Sequence, residues 1–336
     1  MTRPISLPDC AAMRIYYTDH FELPLPPKHR FPMSKYRRLR QRVVSSDHHR
    51  HDTLLVPKAA TDDQLMLCHD ADYVQAVTAG TLTSSQIRRI GFPWSPRMAE
   101  RSRRSTGATI AAASAALEEG LAVNLAGGTH HAMTAAGEGY CVFNDAAVAI
   151  RVLQSQGRIQ RACVIDLDVH QGNGTAEILA GDDSAITLSM HGVKNFPLRK
   201  TAGDIDVDLA DGTDDLAYID ALLAALDQLQ DSGPFDLAIY LAGADPFAED
   251  RLGRLALSKA GLRRRDETVF AWCAAHRLPV AVAMAGGYAQ QIEDIVDIHA
   301  ATVEIAGNWQ RVDPPSPGTN YEIDDSSPSR SCYPDR

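Results

Sequence analysis

Arg161-Ala162-Cys163-Val164-Ile165-Asp166-Leu167-Asp168-Val169-His170-Gln171-Gly172-Asn173-Gly174 begins as an unbroken apolar run and ends in carboxylates, an imidazole and glycines. An apolar run of this length, without helical periodicity, predicts a strand over 161–167 that is buried on both faces, as in a parallel sheet. The glycines then turn the chain, and Thr175–Leu179 starts a helix. Working outward, the same grammar recurs. Residues 97–119 predict a long alanine-rich helix that stops at Gly120, and 121–125 a strand. Asp145–Gln156 predicts a helix, Ala185–Met190 a strand, Leu216–Leu229 a helix and Phe235–Leu241 a strand. Asp266–His276 predicts a helix and Pro279–Met284 a strand. Towards the N-terminus, Ser34–Val44 is helix-like and basic, whereas the prolines of 23–27 exclude helix and central strand. The pattern predicts an α/β protein of three layers, with an open, mostly parallel sheet of about eight strands and helices on both faces.

No break in composition divides 13–310, which is read as one domain of the 336 residues. Residues 1–12 are expected to be a disordered extension, with Met13 an alternative start to Met1. Residues 311–336, rich in Pro, Ser and Asp, are expected to be a disordered tail. The six cysteines at 10, 68, 141, 163, 273 and 332 form no CxxC or paired framework, which points to reduced thiols and the cytoplasm. No apolar run is long enough to span a bilayer. A net charge of −10 argues against a nucleic-acid surface and favours attraction of cationic ligands such as lysine peptides or polyamines.

Ligands of open parallel sheets bind at the carboxyl ends of the strands, and four polar clusters stand at such ends here. In the first, alternation puts Asp166, Asp168 and His170 on one side of an extended segment. Such a set is costly unless something satisfies it, and a divalent cation would. Alone, the pattern is as readily a solvated loop. Asp245, in Tyr240-Leu241-Ala242-Gly243-Ala244-Asp245-Pro246, would complete a two-carboxylate, one-imidazole set with a coordination position left open, although Asp-Pro also begins ordinary turns. His130 and His131 follow Gly127-Gly128-Thr129 and suit general acid/base work or further ligation. Tyr288 closes Ala285-Gly286-Gly287-Tyr288 and would offer a phenol donor, or pack structurally. His48, His49 and His51, set among Arg50 and Asp52, read as a solvated surface rather than a second metal site.

Together these segments resemble the histone deacetylase family of the arginase/deacetylase fold. The matching stretches run in family order: GGTHHA (127–132), GYCVFND (139–145), DLDVHQGNGT (166–175), AGADP (242–246) and AGGY (285–288). RFPMSKY (30–36), IGFPWSP (90–96) and EDRLGRLALS (249–258) are similar to further family segments, and the resemblance covers about 13–305. Asn173 and the DRLG segment resemble the class IV branch and its bacterial relatives. The resemblance implies zinc, or ferrous iron, held by Asp168, His170 and Asp245, and hydrolysis of an acylated amine, with acetyl-lysine first among substrates. It implies proton transfer by His130 and His131 and an oxyanion donor in Tyr288. Asp166 would orient His130 and, with Ser189, contribute to a structural K+ site, while Asn173 would orient His131 and leave it less readily protonated than a carboxylate would. Gly139, Tyr140 and Phe196 would form the substrate channel, the two rings enclosing a lysine stem. Cys141 lies within a family motif with no sign of a nucleophile.

Two rivals remain. Arginase-type binuclear hydrolases resemble D-x-H-x-D, but the last position here is Gly172. A non-catalytic acyl-lysine or polyamine binder would be expected to lose a ligand, a histidine or Tyr288, and all are present. Acetylpolyamine deacetylases, longer-chain deacylases and acetoin-utilisation proteins share the same residues and stay open.

Overall fold

The computed structural model describes residues 12–312, so the expected extension at 1–12 and tail at 311–336 fall almost wholly outside it. Two short edge strands come first, β1 (Arg14–Tyr16) and β2 (Thr53–Leu55), with α1 (Lys35–Val44) between them. Three short helices follow: α2 (Asp62–Leu65), α3 (Ala71–Ala79) and α4 (Ser84–Ile90). The classical layers then begin with α5 (Pro96–Glu119), β3 (Leu121–Asn124), α6 (Asp145–Ser155), β4 (Ala162–Asp166) and α7 (Asn173–Leu179). They continue with β5 (Ala185–Gly192), β6 (Ile205–Leu209), α8 (Asp215–Asp231), β7 (Leu237–Ala242), α9 (Lys259–Ala275), β8 (Val280–Met284) and α10 (Ile292–Val312).

All eight strands form one sheet in the order β2-β1-β3-β8-β7-β4-β5-β6, and every pairing is parallel rather than mostly so. Side chains alternate between two cores. Cys163, Ile165, Tyr240, Val280 and Val282 pack with α1, α8, α9 and α10. Val164, Ile239, Leu241, Ala281 and Ala283 pack with α5, α6 and the short helices. Both faces of the inner strands are therefore dry, which is why their sequences are continuously apolar.

The ends of α5 show how local sequence sets its length. Ser95 accepts a hydrogen bond from Met98 N–H, Pro96 occupies the first turn, and the positive φ of Gly120 closes the last. Its alanines, with Ala108, Ala112, Ala115 and Ala116 fully buried, let it lie close to the sheet.

Three expectations change. β6 was not foreseen, because Ile205-Asp206-Val207-Asp208-Leu209 alternates polar and apolar as an edge strand does. α9 begins at Lys259 rather than Asp266, its first turns being too polar to announce a helix. His49 is not a solvated residue: it is buried, with Nδ1 2.8 Å from Asp52 Oδ2.

The chain leaves β3 for β4 across the places later filled by β8 and β7. The loops after these four central strands therefore meet at one end of the sheet, the position where open α/β sheets bind ligands.

Candidate metal centre

The loop after β4 folds back on its own carboxylates. Asp166 Oδ1 accepts from Asp168 N–H at 3.2 Å, and Asp168 Oδ1 accepts from His170 N–H at 2.9 Å. The neighbouring loops close over it: Asp245 Oδ1 accepts from Val169 N–H at 2.9 Å, and Asp168 Oδ2 from Gly286 N–H at 2.6 Å. Asp168, His170 and Asp245 are all buried, and one donor atom from each lies within 4.8 Å of the others.

These residues fit a divalent cation on their own chemistry. Asp245 Oδ2 is buried and accepts no well-formed hydrogen bond; His170 Nδ1 stands 3.2 Å away. Burial, with Asp168 beside it, raises the pKa of Asp245. Burial opposes a charge on His170 as well, yet its close pairing with the carboxylates of Asp168 and Asp245 pushes it up to about 10. The two buried carboxylates thus draw positive charge towards themselves, here as a proton on His170, and a metal would supply that charge in its place. Glycine shapes the space: a Cβ at Gly286 would overlap the Oδ2 atoms of both Asp245 and Asp168.

The two histidines beside this cluster stand in opposite environments. His130 Nδ1 donates to Asp166 Oδ2 at 2.6 Å. Its burial disfavours the charged form, but Asp166 and Asp168 outweigh that and push it up to about 9. His131 Nδ1 faces Asn173 Oδ1 at 2.6 Å, and burial, then the charges of His130 and His170, hold it well below the usual histidine range. An Nδ1–H donated to the amide oxygen leaves Nε2 of neutral His131 with its lone pair.

Tyr288 enters from the loop after β8, its backbone N–H held by Asp250 Oδ2 at 2.5 Å and its carbonyl by Arg251 Nε at 2.8 Å. Burial, then Asp168 and Asp245, raise its phenol well above the ordinary range, so it stays a neutral donor. An inner chamber of about 40 Å³ is lined by His130, His131, Asp168, His170 and Tyr288, with Lys35 and Arg101 also on its wall. An outer cavity of about 440 Å³ shares His131, Gly139, Tyr140, His170 and Tyr288 with it. Phe196 lines only the outer cavity and stands edge-on to His131, ring centres 4.9 Å apart. Gly139 has φ +55, and a Cβ there would meet the His131 ring. Ser189 is not brought into either cavity. It is the register partner of Asp166, and its Oγ lies 2.9 Å from His191 Nδ1. Cys141 is buried, and its thiol is pushed up by that burial.

Several residues that the sequence did not mark hold this arrangement. Asp145 accepts from the backbone N–H groups of Gly128 and Thr129 at 3.0 and 2.7 Å, fixing the loop that carries the histidine pair. Arg265, wholly buried, donates through Nη1 to Gly243 O at 2.5 Å and Leu167 O at 3.4 Å. Those carbonyls belong to the loops of Asp245 and Asp168. Its Nε donates to Asp266 Oδ1 at 2.9 Å, and Asp266 also accepts from Tyr240 and Thr302 hydroxyls, each at 2.5 Å. A lone Asp in the family-like GYCVFND stretch was a signal for Asp145. Nothing local announced Arg265, whose partner Leu167 is 98 positions away.

Arg265→Met is expected to cost about 3–5 kcal/mol of stability, since it strands Asp266 in a dry interior. Chemical denaturation of the metal-free protein checks this, and a wild-type midpoint would show that the Arg265–Asp266 pair does not brace the loops.

The sequence model of the histone deacetylase domain matches residues 29–303. An uncharacterised protein of Picosynechococcus sp. is 43% identical over 286 residues, 85% of this chain and 95% of that one. Histone deacetylase 2 of Arabidopsis thaliana is 31% identical over 270 residues, 77% of this chain and 70% of that one. Among solved structures, the HD domain of HDA15 superposes with a TM-score of 0.75 over 88% of each chain at 21% identity, a likeness of fold. A wholly parallel three-layer domain whose central strand ends gather the Asp-His-Asp cluster, and a family match spanning that domain, lead to one conclusion: the chain belongs to the histone deacetylase family.

Proposed function

We propose that this protein is a metal-dependent amidohydrolase that removes the acetyl group from acetyl-lysine side chains. The observation that carries the reading is the convergence of the buried Asp168–His170–Asp245 set with His130, His131 and Tyr288, all but Asp245 lining the inner chamber. Asp168, His170 and Asp245 hold the cation, Zn2+ in this reading, with Fe2+ suited to the same donors. When bound, such an ion supplies Lewis-acid polarisation of a carbonyl and a more acidic water.

The side chains do the rest. Neutral His131 takes the water proton at Nε2 as the water oxygen adds to the amide carbon. Tyr288 donates its phenol hydrogen bond to the developing oxyanion. His130, kept protonated by Asp166, lends positive charge beside the reacting carbon. The proton held on His131 passes to the leaving nitrogen as the C–N bond breaks, giving a carboxylate and a free amine. Tyr140 and Phe196, with Gly139, line the path of the aliphatic lysine stem. Asp166, the last residue of β4, and its register partner Ser189 within β5 provide the structural K+ position in this reading.

The chamber of about 40 Å³ has room on the scale of one or two waters, so it suits an acetyl group better than a long acyl chain. The four described cysteines are free and buried, in keeping with a reducing, cytoplasmic setting. No described helix is long and apolar enough to cross a membrane.

A panel of acetyl-lysine peptide, long-chain acyl-lysine peptide and acetylpolyamine, each incubated with metal-loaded protein, tests the reading. Acetyl-lysine is expected to turn over fastest. A faster reaction on either of the others would transfer the activity to a longer-chain deacylase or a polyamine deacetylase. Stoichiometric metal with no turnover of any would leave a non-catalytic binding protein.

A further inference from the structure

The outer cavity is cationic although the chain carries a net charge of −10. Arg88, Arg89, Lys194 and Arg254 all line it, against the single carboxylate of Glu138. They come from three separate places: the last turn of α4, the loop after β5, and the loop between β7 and α9. Their placement is tied to the channel itself. Arg89 O accepts from Gly139 N–H at 3.1 Å and Ile90 O from Tyr140 N–H at 2.7 Å, so the end of α4 is fastened to the channel wall.

Neutralisation at this opening is partial. Glu138 pairs with Arg89 at 3.1 Å, while one carboxylate, Asp211, is shared by Lys194 and Arg254 at 3.3 and 3.4 Å. Both of those cations are more than half exposed, where such pairs are weak. Arg88 makes no ion pair among the described residues. Positive groups around a concave opening with low-dielectric walls focus their field into it, whatever the sign of the whole molecule.

From this, and resting on the deacetylase reading above, we infer that the physiological substrate is an acyl-lysine whose neighbours in the peptide are acidic. The lysine stem descends between Tyr140 and Phe196, and flanking Asp or Glu side chains meet Arg88, Arg89, Lys194 and Arg254 at the rim. A polyamine, or a lysine- and arginine-rich tail, brings its remaining positive charges to the same rim and is repelled. The acidic average of the sequence suggested the opposite preference; the local charge at the opening decides it.

The test compares two acetyl-lysine peptides of equal length, one with Glu and one with Lys on both sides of the acetyl-lysine, using the full chain loaded with zinc. At low salt the Glu-flanked peptide is expected to have a kcat/KM about tenfold higher, and the ratio should shrink towards one at about 0.5 M NaCl as screening shortens the field. Arg88→Glu combined with Arg254→Glu should invert the ratio, which serves as its own control for altered folding. Equal rates, a preference for the Lys-flanked peptide, or a ratio unmoved by the double substitution would each overturn the inference while leaving the deacetylase reading intact. No turnover of either peptide would overturn that reading, and this inference with it.

Discussion

Asp245→Ala is expected to abolish stoichiometric zinc binding and to reduce acetyl-lysine hydrolysis by about a thousandfold or more, because polarisation by the cation is worth several kcal/mol. The substitution removes the oxygen that has no well-formed hydrogen bond in the protein and one of the two carboxylates facing His170. It also costs the hydrogen bond from Val169 N–H, but relieves a buried carboxylate whose ionisation Asp168 opposes. The two effects on the metal-free fold run in opposite directions. The melting temperature without zinc should therefore stay close to wild type, whereas the rise on adding zinc should disappear, since a ligand stabilises only the fold that binds it. Calorimetric titration together with melting curves reads both. Full zinc binding by the variant would remove Asp245 from the ligand set.

Tyr288→Phe separates binding from catalysis. Its backbone anchor to Asp250 does not involve the phenol, and the ring contacts with Phe31, Tyr140 and His170 remain available to phenylalanine. Zinc content, melting temperature and KM should be near wild type, while kcat falls about 10²–10³-fold, the usual cost of one oxyanion donor. A kcat within a factor of about two of wild type would show that the phenol does not act on the reacting oxygen.

How far the sequence speaks for this structure depends on the range over which its signals act. Parallel strands β4, β7 and β8 were legible because burial on both faces demands continuous apolar residues. The edge strand β6 satisfies that demand on one face only and went unseen. α2, α3 and α4 are too short for periodicity, although the Thr61–Gln64 and Thr83–Gln86 capping boxes mark the first and last of them. At the site, strand alternation grouped Asp166, Asp168 and His170 without separating their surroundings. The structure sets Asp166 against His130 and Asp168 beside His170 and Gly286. Contacts between distant segments, such as Arg265 with Leu167 or Asp250 with Tyr288, leave no local pattern. The charge of the opening was hidden for a related reason: a net charge is a sum over the surface, and four cations from three separate segments do not alter its sign.

The central claim, that this chain's Asp-His-Asp cluster serves amide hydrolysis, is tested most directly by acetate release from an acetyl-lysine peptide. Protein holding one equivalent of zinc is expected to release acetate, to stop when a chelator strips the metal, and to resume when zinc is restored. Undiminished acetate release from protein shown to be free of metal, or none from protein shown to hold it, would contradict the account.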